Sequence, residues 1–149
     1  MRRIDCHDRI KHMKRSYDTA LKSVDVLLGL VASRPEYLNR YGLDPNEMQN
    51  LSKGGLHDVY FATMFACFES SIRHFWRTSV RNSRPGTEQL LNLVAGRRGV
   101  PQDVLDTVHE IRDFRNYLIH GDNQIKKRFT IDEASSALNT FVARLPLQW

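Results

Sequence analysis

Apolar residues recur along this chain at helical spacing, and no segment shows the period-two alternation of a half-buried strand. Ile10, Met13, Tyr17, Ala20, Val24, Leu27 and Val31 follow one another by threes and fours, with Leu21 and Leu28 beside them. The stripe predicts a first helix from about Asp5 to about Ala32. One reading makes it a core helix whose solvated back carries Lys11, Arg15 and Lys22. The other makes it half of a helix–helix dimer seam, which a stripe of three heptads also suits. Pro35 ends the helix, because it pushes Arg34 out of the helical region. Residues 34–54 read as a connector with one turn of helix at Asp44-Pro45-Asn46-Glu47, where Asp44 caps and Glu47 lies three positions on. Gly54 and Gly55 then reset the chain.

A second helix is expected over about Leu56–Asn82, on Phe61, Phe65, Phe68, Ile72 and Phe75/Trp76. Residues 59–68 are nearly apolar all round, which predicts the central, most buried helix of the fold. Glu69 interrupts the inner half, and two readings stand. It pairs with Arg73 one turn on, a surface bond contributing about 0.3–0.5 kcal/mol, or it reaches a site and orients an arginine there. After Pro85-Gly86 come a short helix over Thr87–Ala95, a flexible basic loop at Gly96–Gly99 and a fourth helix over Pro101–His120, where Pro101 suits the first position. Thr130-Ile131-Asp132-Glu133 is a capping box that opens the last helix, which runs toward Pro146. No repeat is visible. The predicted fold is an all-α bundle of four to five helices, two long ones first, with residues 1–149 as one domain.

Charge sharpens this picture. The net charge is +5 and unevenly placed: residues 1–22 carry seven Lys and Arg against three Asp, and residues 73–98 carry six Arg against one Glu. Such a field concentrates polyanions, nucleic acid above all; arginines that merely solvate a small helical protein are the bland alternative. Arg73, Arg77, Arg81 and Arg84 fall at or near helical spacing as a basic ridge able to track phosphates. Met1-Arg2-Arg3 starts like the basic end of a signal peptide. The next residues, with Asp5, His7, Asp8 and Lys11, supply no apolar segment, so neither export nor membrane insertion is expected. Cys6 and Cys67 are the only cysteines; Cys67 in the apolar run reads as a buried thiol, and the chain as cytoplasmic.

The candidate chemistry gathers at the end of the fourth helix. Val104, Val108, Ile111, Arg115 and Leu118 share a face, so Arg115 stands where the pattern asks for an apolar residue. An arginine there must find partners or open onto a cleft. Asn116 and His120, four apart, stack on an adjacent face that Arg112 and His109 continue, and Gly121 lets the chain leave left-handed while keeping bulk from His120. Guanidinium binds phosphate oxygens and imidazole works as general acid or base near neutrality. The helix C-terminus repels an anion, so the phosphate would need Arg115, Arg112 and the Lys126-Lys127-Arg128 loop. Arg115, Asn116 and His120 are therefore the candidate catalytic residues. Arg112, Arg73, Arg77, Arg81, Lys126 and Lys127 are the candidate substrate-binding ones. The alternative has Arg115 pairing with Glu69 or Asp113 and His120 capping the helix. The other histidines show no metal-ligand spacing, and no cofactor is expected.

Arg115-Asn116-Tyr117-Leu118-Ile119-His120 resembles the signature of HEPN domains: Arg, four to six variable residues, then His, with a polar residue after the Arg. The Phe-rich second helix with Phe68-Glu69-Ser70-Ser71-Ile72-Arg73 and the Thr130–Leu145 helix after a basic loop are similar to the RiboL-PSP-like branch. The likeness covers the whole chain as helix order, and residues 110–121 as motif. It implies a dimerising bundle with two motifs at a shared cleft, and a metal-independent endoribonuclease acting on tRNA or mRNA. Such enzymes are toxins with an antitoxin partner or effectors of antiviral defence. By that similarity His120 would activate the ribose 2′-hydroxyl or protonate the leaving oxygen, Arg115 would stabilise the transition state with support from Asn116, and the product would be a 2′,3′-cyclic phosphate. It equally implies the alternative of a non-catalytic dimerisation or RNA-binding module within a larger complex.

Overall fold

The stripe that begins at Ile10 folds as helix α1, Arg3–Ser33, in a computed structural model that describes residues 1–80, 83–121 and 125–149. Ile10 is fully buried, and Met13 and Tyr17 pack on the core. Farther along, Val24, Leu27 and Leu28 are only half-covered. Helix α2 (Glu36–Tyr41) lies where only connector was expected; it ends at Gly42 in the left-handed region. Helix α3 (Pro45–Asn50) takes the predicted cap, with Asp44 accepting from the backbone N–H groups of Asn46 and Glu47. The chain resets at Gly54 as expected: the turn over Leu51–Gly55 leads into α4 (Leu56–Ser79) across a kink at Gly54, whose φ of 174° and ψ of −25° are not helical.

Helix α4 is the centre of the bundle, as its aromatic spacing predicts. It buries Phe61, Met64, Phe65, Phe68, Ile72, Phe75 and Trp76 and packs against α1, α5 (Thr87–Arg98), α6 (Gln102–His120) and α7 (Ile131–Val142). It is not buried all round, since Val59 is 64% exposed. Edge-on ring pairs tie the layers: Phe61 with Phe114 of α6 at 4.8 Å between centroids, and Phe68 with Phe141 of α7 at 5.5 Å. Helix α5 runs past Gly96 to Arg98 and stops at Gly99, at φ 61°; the expected basic loop is therefore the last turn of a helix. Arg97 and Arg98 are good helix formers and suit a helix C-terminus.

The capping box of α7 forms as predicted, with Thr130 accepting from the Glu133 N–H and Glu133 from the Thr130 N–H. The two ends of the chain lie side by side: Arg3 N–H donates to Leu147 O at 2.9 Å and Trp149 N–H to Met1 O at 3.0 Å. Among the described residues, an isolated antiparallel bridge between Arg2 and Gln148 is the only β-type pairing, so the fold is all-α. Cys67, expected to be buried, is half-buried, and Cys6 is fully buried. No described helix is long and apolar enough to cross a membrane.

Candidate functional site

Helix α6 presents Val108, Ile111 and Phe114 to the core, which carries Arg115 inward beside them. It ends because Gly121 adopts φ 72° and returns its N–H to Tyr117 O at 2.8 Å. A Cβ added at Gly121 would meet nothing within 4 Å. The glycine is thus required by its backbone angle.

Arg115 lies between α6 and α4 with its guanidinium carbon 5.9 Å from the centre of the Phe65 ring. Its Nη1 donates to Asn116 Oδ1 at 3.0 Å. Its Nε is buried with no hydrogen-bond partner, and its Nη2 makes no hydrogen bond among the described residues. The predicted pairing with Asp113 or Glu69 does not form. Asp113 goes to Arg112 Nη2 at 2.8 Å. Glu69 goes to Arg73, with Oε1 accepting from Nη2 at 2.7 Å and from Nε at 3.0 Å, and to the Thr87 hydroxyl at 2.7 Å.

Both readings of Glu69 therefore contribute to what is seen. It binds Arg73, but within a half-buried clasp that ties the start of α5 to α4, because Arg73 also donates to Pro85 O and Thr87 Oγ1. Burial opposes ionisation of Glu69. Hydrogen bonds from Thr87 and Arg73, then the charges of Arg73 and Arg115, outweigh it and hold the carboxyl below its usual range. Glu69 so supplies Arg115 with a countercharge without bonding to it.

His120 is exposed and makes no hydrogen bond among the described residues, so it does not cap the helix. Five residues of α-helix separate it from Arg115, roughly 7.5 Å of rise and 140° of rotation. Asn116 lies between the two directions, one turn before His120. The structure brings Arg115 and Asn116 together and leaves His120 on the solvent side. None of the three lines the clefts beside Trp76, Leu27, His57, Tyr60 or Lys126.

The expected substrate-binding residues lie in different surroundings. Arg112 is held by Glu88 at 3.0 Å and by Asp113, and only 16% of its side chain is exposed; its charge is already matched. Its neighbour His109 donates from Nε2 to Asn92 Oδ1 at 2.8 Å. Burial first, and then the Arg112 charge, push the His109 pKa down. Lys127 pairs with Glu133 at 3.1 Å and sits 4.6 Å over the Phe129 ring. Lys126 is exposed beside Glu110 and Asp113, on a flank with acidic neighbours. Arg73 is consumed by the clasp. Arg77, with Arg84, opens onto a cleft between α4 and α5, and Arg81 lies outside the described residues. Spacing marked Trp76 as part of the apolar stripe, not as a cleft residue, and did not mark Ser83 in that cleft, nor Thr87 and Glu88 as the partners of Arg73 and Arg112. Among the described residues no three His, Cys, Asp or Glu side chains are grouped to hold a metal ion.

Compared with protein-family models, curated proteins and solved structures, the chain finds no match.

Proposed function

We propose that the protein is a metal-independent endoribonuclease of the HEPN type, working in the cytoplasm as a homodimer and serving as a toxin or defence effector. The observation that carries this reading is Arg115. A guanidinium inserted into an apolar face, with a dry and unpartnered Nε, costs stability. It holds one nitrogen on Asn116, and Nη2, which makes no hydrogen bond among the described residues, is the one to take a phosphate oxygen.

The reaction needs little else. The ribose 2′-oxygen attacks the adjacent phosphorus and the bond from phosphorus to the 5′-oxygen breaks, which leaves a 2′,3′-cyclic phosphate and a 5′-hydroxyl. One proton leaves the 2′-hydroxyl and one arrives on the 5′-oxygen; His120 serves one of these transfers. Arg115 stabilises the charge that grows on the non-bridging oxygens, and Asn116 fixes the guanidinium. Since Arg115 and His120 diverge round the helix, a second copy of the chain, opposing its own helix end, supplies the complementary group. An antitoxin or defence-system protein is the partner expected to restrain it.

A second reading, a non-catalytic RNA-binding or dimerisation module, draws on the matched charge of Arg112 and the exposure of His120. Incubation with tRNA and mRNA in EDTA separates the two. Cleavage by the wild-type chain that is lost in both His120→Ala and Arg115→Ala supports the enzyme. Equal cleavage by all three refutes the site, and RNA binding that survives His120→Ala without any cleavage supports the module.

A further inference from the structure

The cleft between α4 and α5 has a composition that the clasp and the helix end do not explain. Its volume is about 200 Å³ and it opens to solvent on one side. Trp76, Pro85 and Leu90 form its apolar wall, all nearly covered by the fold. Trp76 is held in orientation by Nε1 donating to Ser83 Oγ at 3.0 Å, and the Arg97 guanidinium carbon lies 6.0 Å from its ring centre. The rim is cationic. Arg73 is spent on Glu69, Thr87 and Pro85 O, and fixes the wall in place. Arg77 and Arg84 pair with no carboxylate among the described residues, and both face the cleft.

Two arginines without a carboxylate among the described residues, on the rim of a narrow cleft floored by the covered Trp76 and Leu90, fit a phosphate. The volume falls below that of an ordinary small-molecule site, which begins at roughly 300 Å³. A subsite for part of a longer chain fits it better than an independent pocket. Along α4, Arg77 stands twelve residues beyond Phe65, the residue under Arg115, or about 18 Å of rise. A polymer bridges that span and a mononucleotide does not.

We propose that this cleft is a nucleotide subsite, which takes one phosphate of a single-stranded RNA between Arg77 and Arg84, above the covered edge of Trp76. The identity of the occupant as RNA rests on the ribonuclease reading; the chemistry of the cleft does not.

The chain has two tryptophans, so Trp149→Phe leaves Trp76 as the only reporter. A single-stranded 2′-O-methyl RNA oligonucleotide, which 2′-hydroxyl attack cannot cleave, should change Trp76 emission saturably. The Arg77→Ala/Arg84→Ala double variant should bind it at least about tenfold more weakly, with a salt dependence lower by about one unit of slope. Adenosine monophosphate should bind at least about a hundredfold more weakly than the oligonucleotide, by loss of the remaining contacts. If Trp149→Phe does not fold, fluorotryptophan resonances of the unmutated chain report the same titration. An oligonucleotide that binds by anisotropy without affecting Trp76, or equally well to the double variant, overturns the proposal. Equal binding of the mononucleotide overturns the assignment to a strand. His120-dependent cleavage with a silent Trp76 removes the subsite and keeps the ribonuclease. An arginine-dependent Trp76 response without cleavage does the reverse.

Discussion

Replacing Arg115 by methionine should leave the stability of the fold within about 1 kcal/mol of its present value, while abolishing the proposed cleavage. The substitution keeps an unbranched side chain against Phe65 and removes the guanidinium. Three favourable interactions are lost: the bond from Nη1 to Asn116 at 3.0 Å, about 1 kcal/mol, the contact with the Phe65 ring at 5.9 Å, about 0.5 kcal/mol, and the unbonded attraction of the Glu69 carboxylate, about 0.5 kcal/mol. Against these stands the buried Nε with no partner, a penalty of about 1–3 kcal/mol. A chain of net charge +5 also gains slightly from losing a cation. The sum runs from about 1 kcal/mol against Arg115→Met to about 1 kcal/mol in its favour. Urea denaturation of both proteins at pH 7, with equal slopes, reads this difference directly. A loss of 2 kcal/mol or more, on the scale of about 3–5 kcal/mol seen when a buried ion pair is broken, would show that Arg115 holds the fold together and would refute the reasoning.

Glu69→Gln should cost about 2 kcal/mol, well above the roughly 0.3–0.5 kcal/mol of an exposed helical pair, because Arg73 and Thr87 both lose their charged acceptor; a denaturation difference below about 0.5 kcal/mol would refute the clasp. The same variant carries a pH signature. The folded carboxyl titrates below its ordinary value near 4.5, so its contribution is complete above that pH and is lost as pH falls through the folded value. The gap between wild type and Glu69→Gln should therefore be constant from pH 7 to 5 and shrink below, and a gap that widens in acid contradicts the assignment. Gly121→Ala should destabilise by about 1 kcal/mol through its backbone angle of 72° alone, measured by thermal unfolding; a neutral result would mean that the helix end relaxes freely. Thr130→Ala should cost about 1 kcal/mol through the lost cap, and an unchanged midpoint would deny the capping box its role.

Features that depend on neighbours in sequence were legible beforehand. Helices α1, α4, α6 and α7 follow from apolar residues three and four apart, and the caps at Asp44 and Thr130 from residues two or three on. Arg115 was conspicuous for the same local reason, as a cation in an apolar row. The misread features are set by partners far along the chain. Glu69 looked like a surface pair because Thr87 stands eighteen residues away. Arg112 looked available because Glu88 meets it only when α5 folds back on α6. Helix α5 was ended too early at Gly96, a residue that helices tolerate, while the true stop at Gly99 needed a left-handed backbone angle. Local physics thus located the candidate helix end, and the tertiary fold decided which of its cations remain free.

The chemical nature of the cut ends tests the central claim most directly. Wild-type protein, incubated with single-stranded RNA in EDTA, should yield fragments ending in 2′,3′-cyclic phosphate with 5′-hydroxyl partners, read by mass spectrometry, and His120→Ala should yield none. Intact RNA after prolonged incubation, 5′-phosphate ends, or cyclic phosphates formed equally by His120→Ala would contradict it.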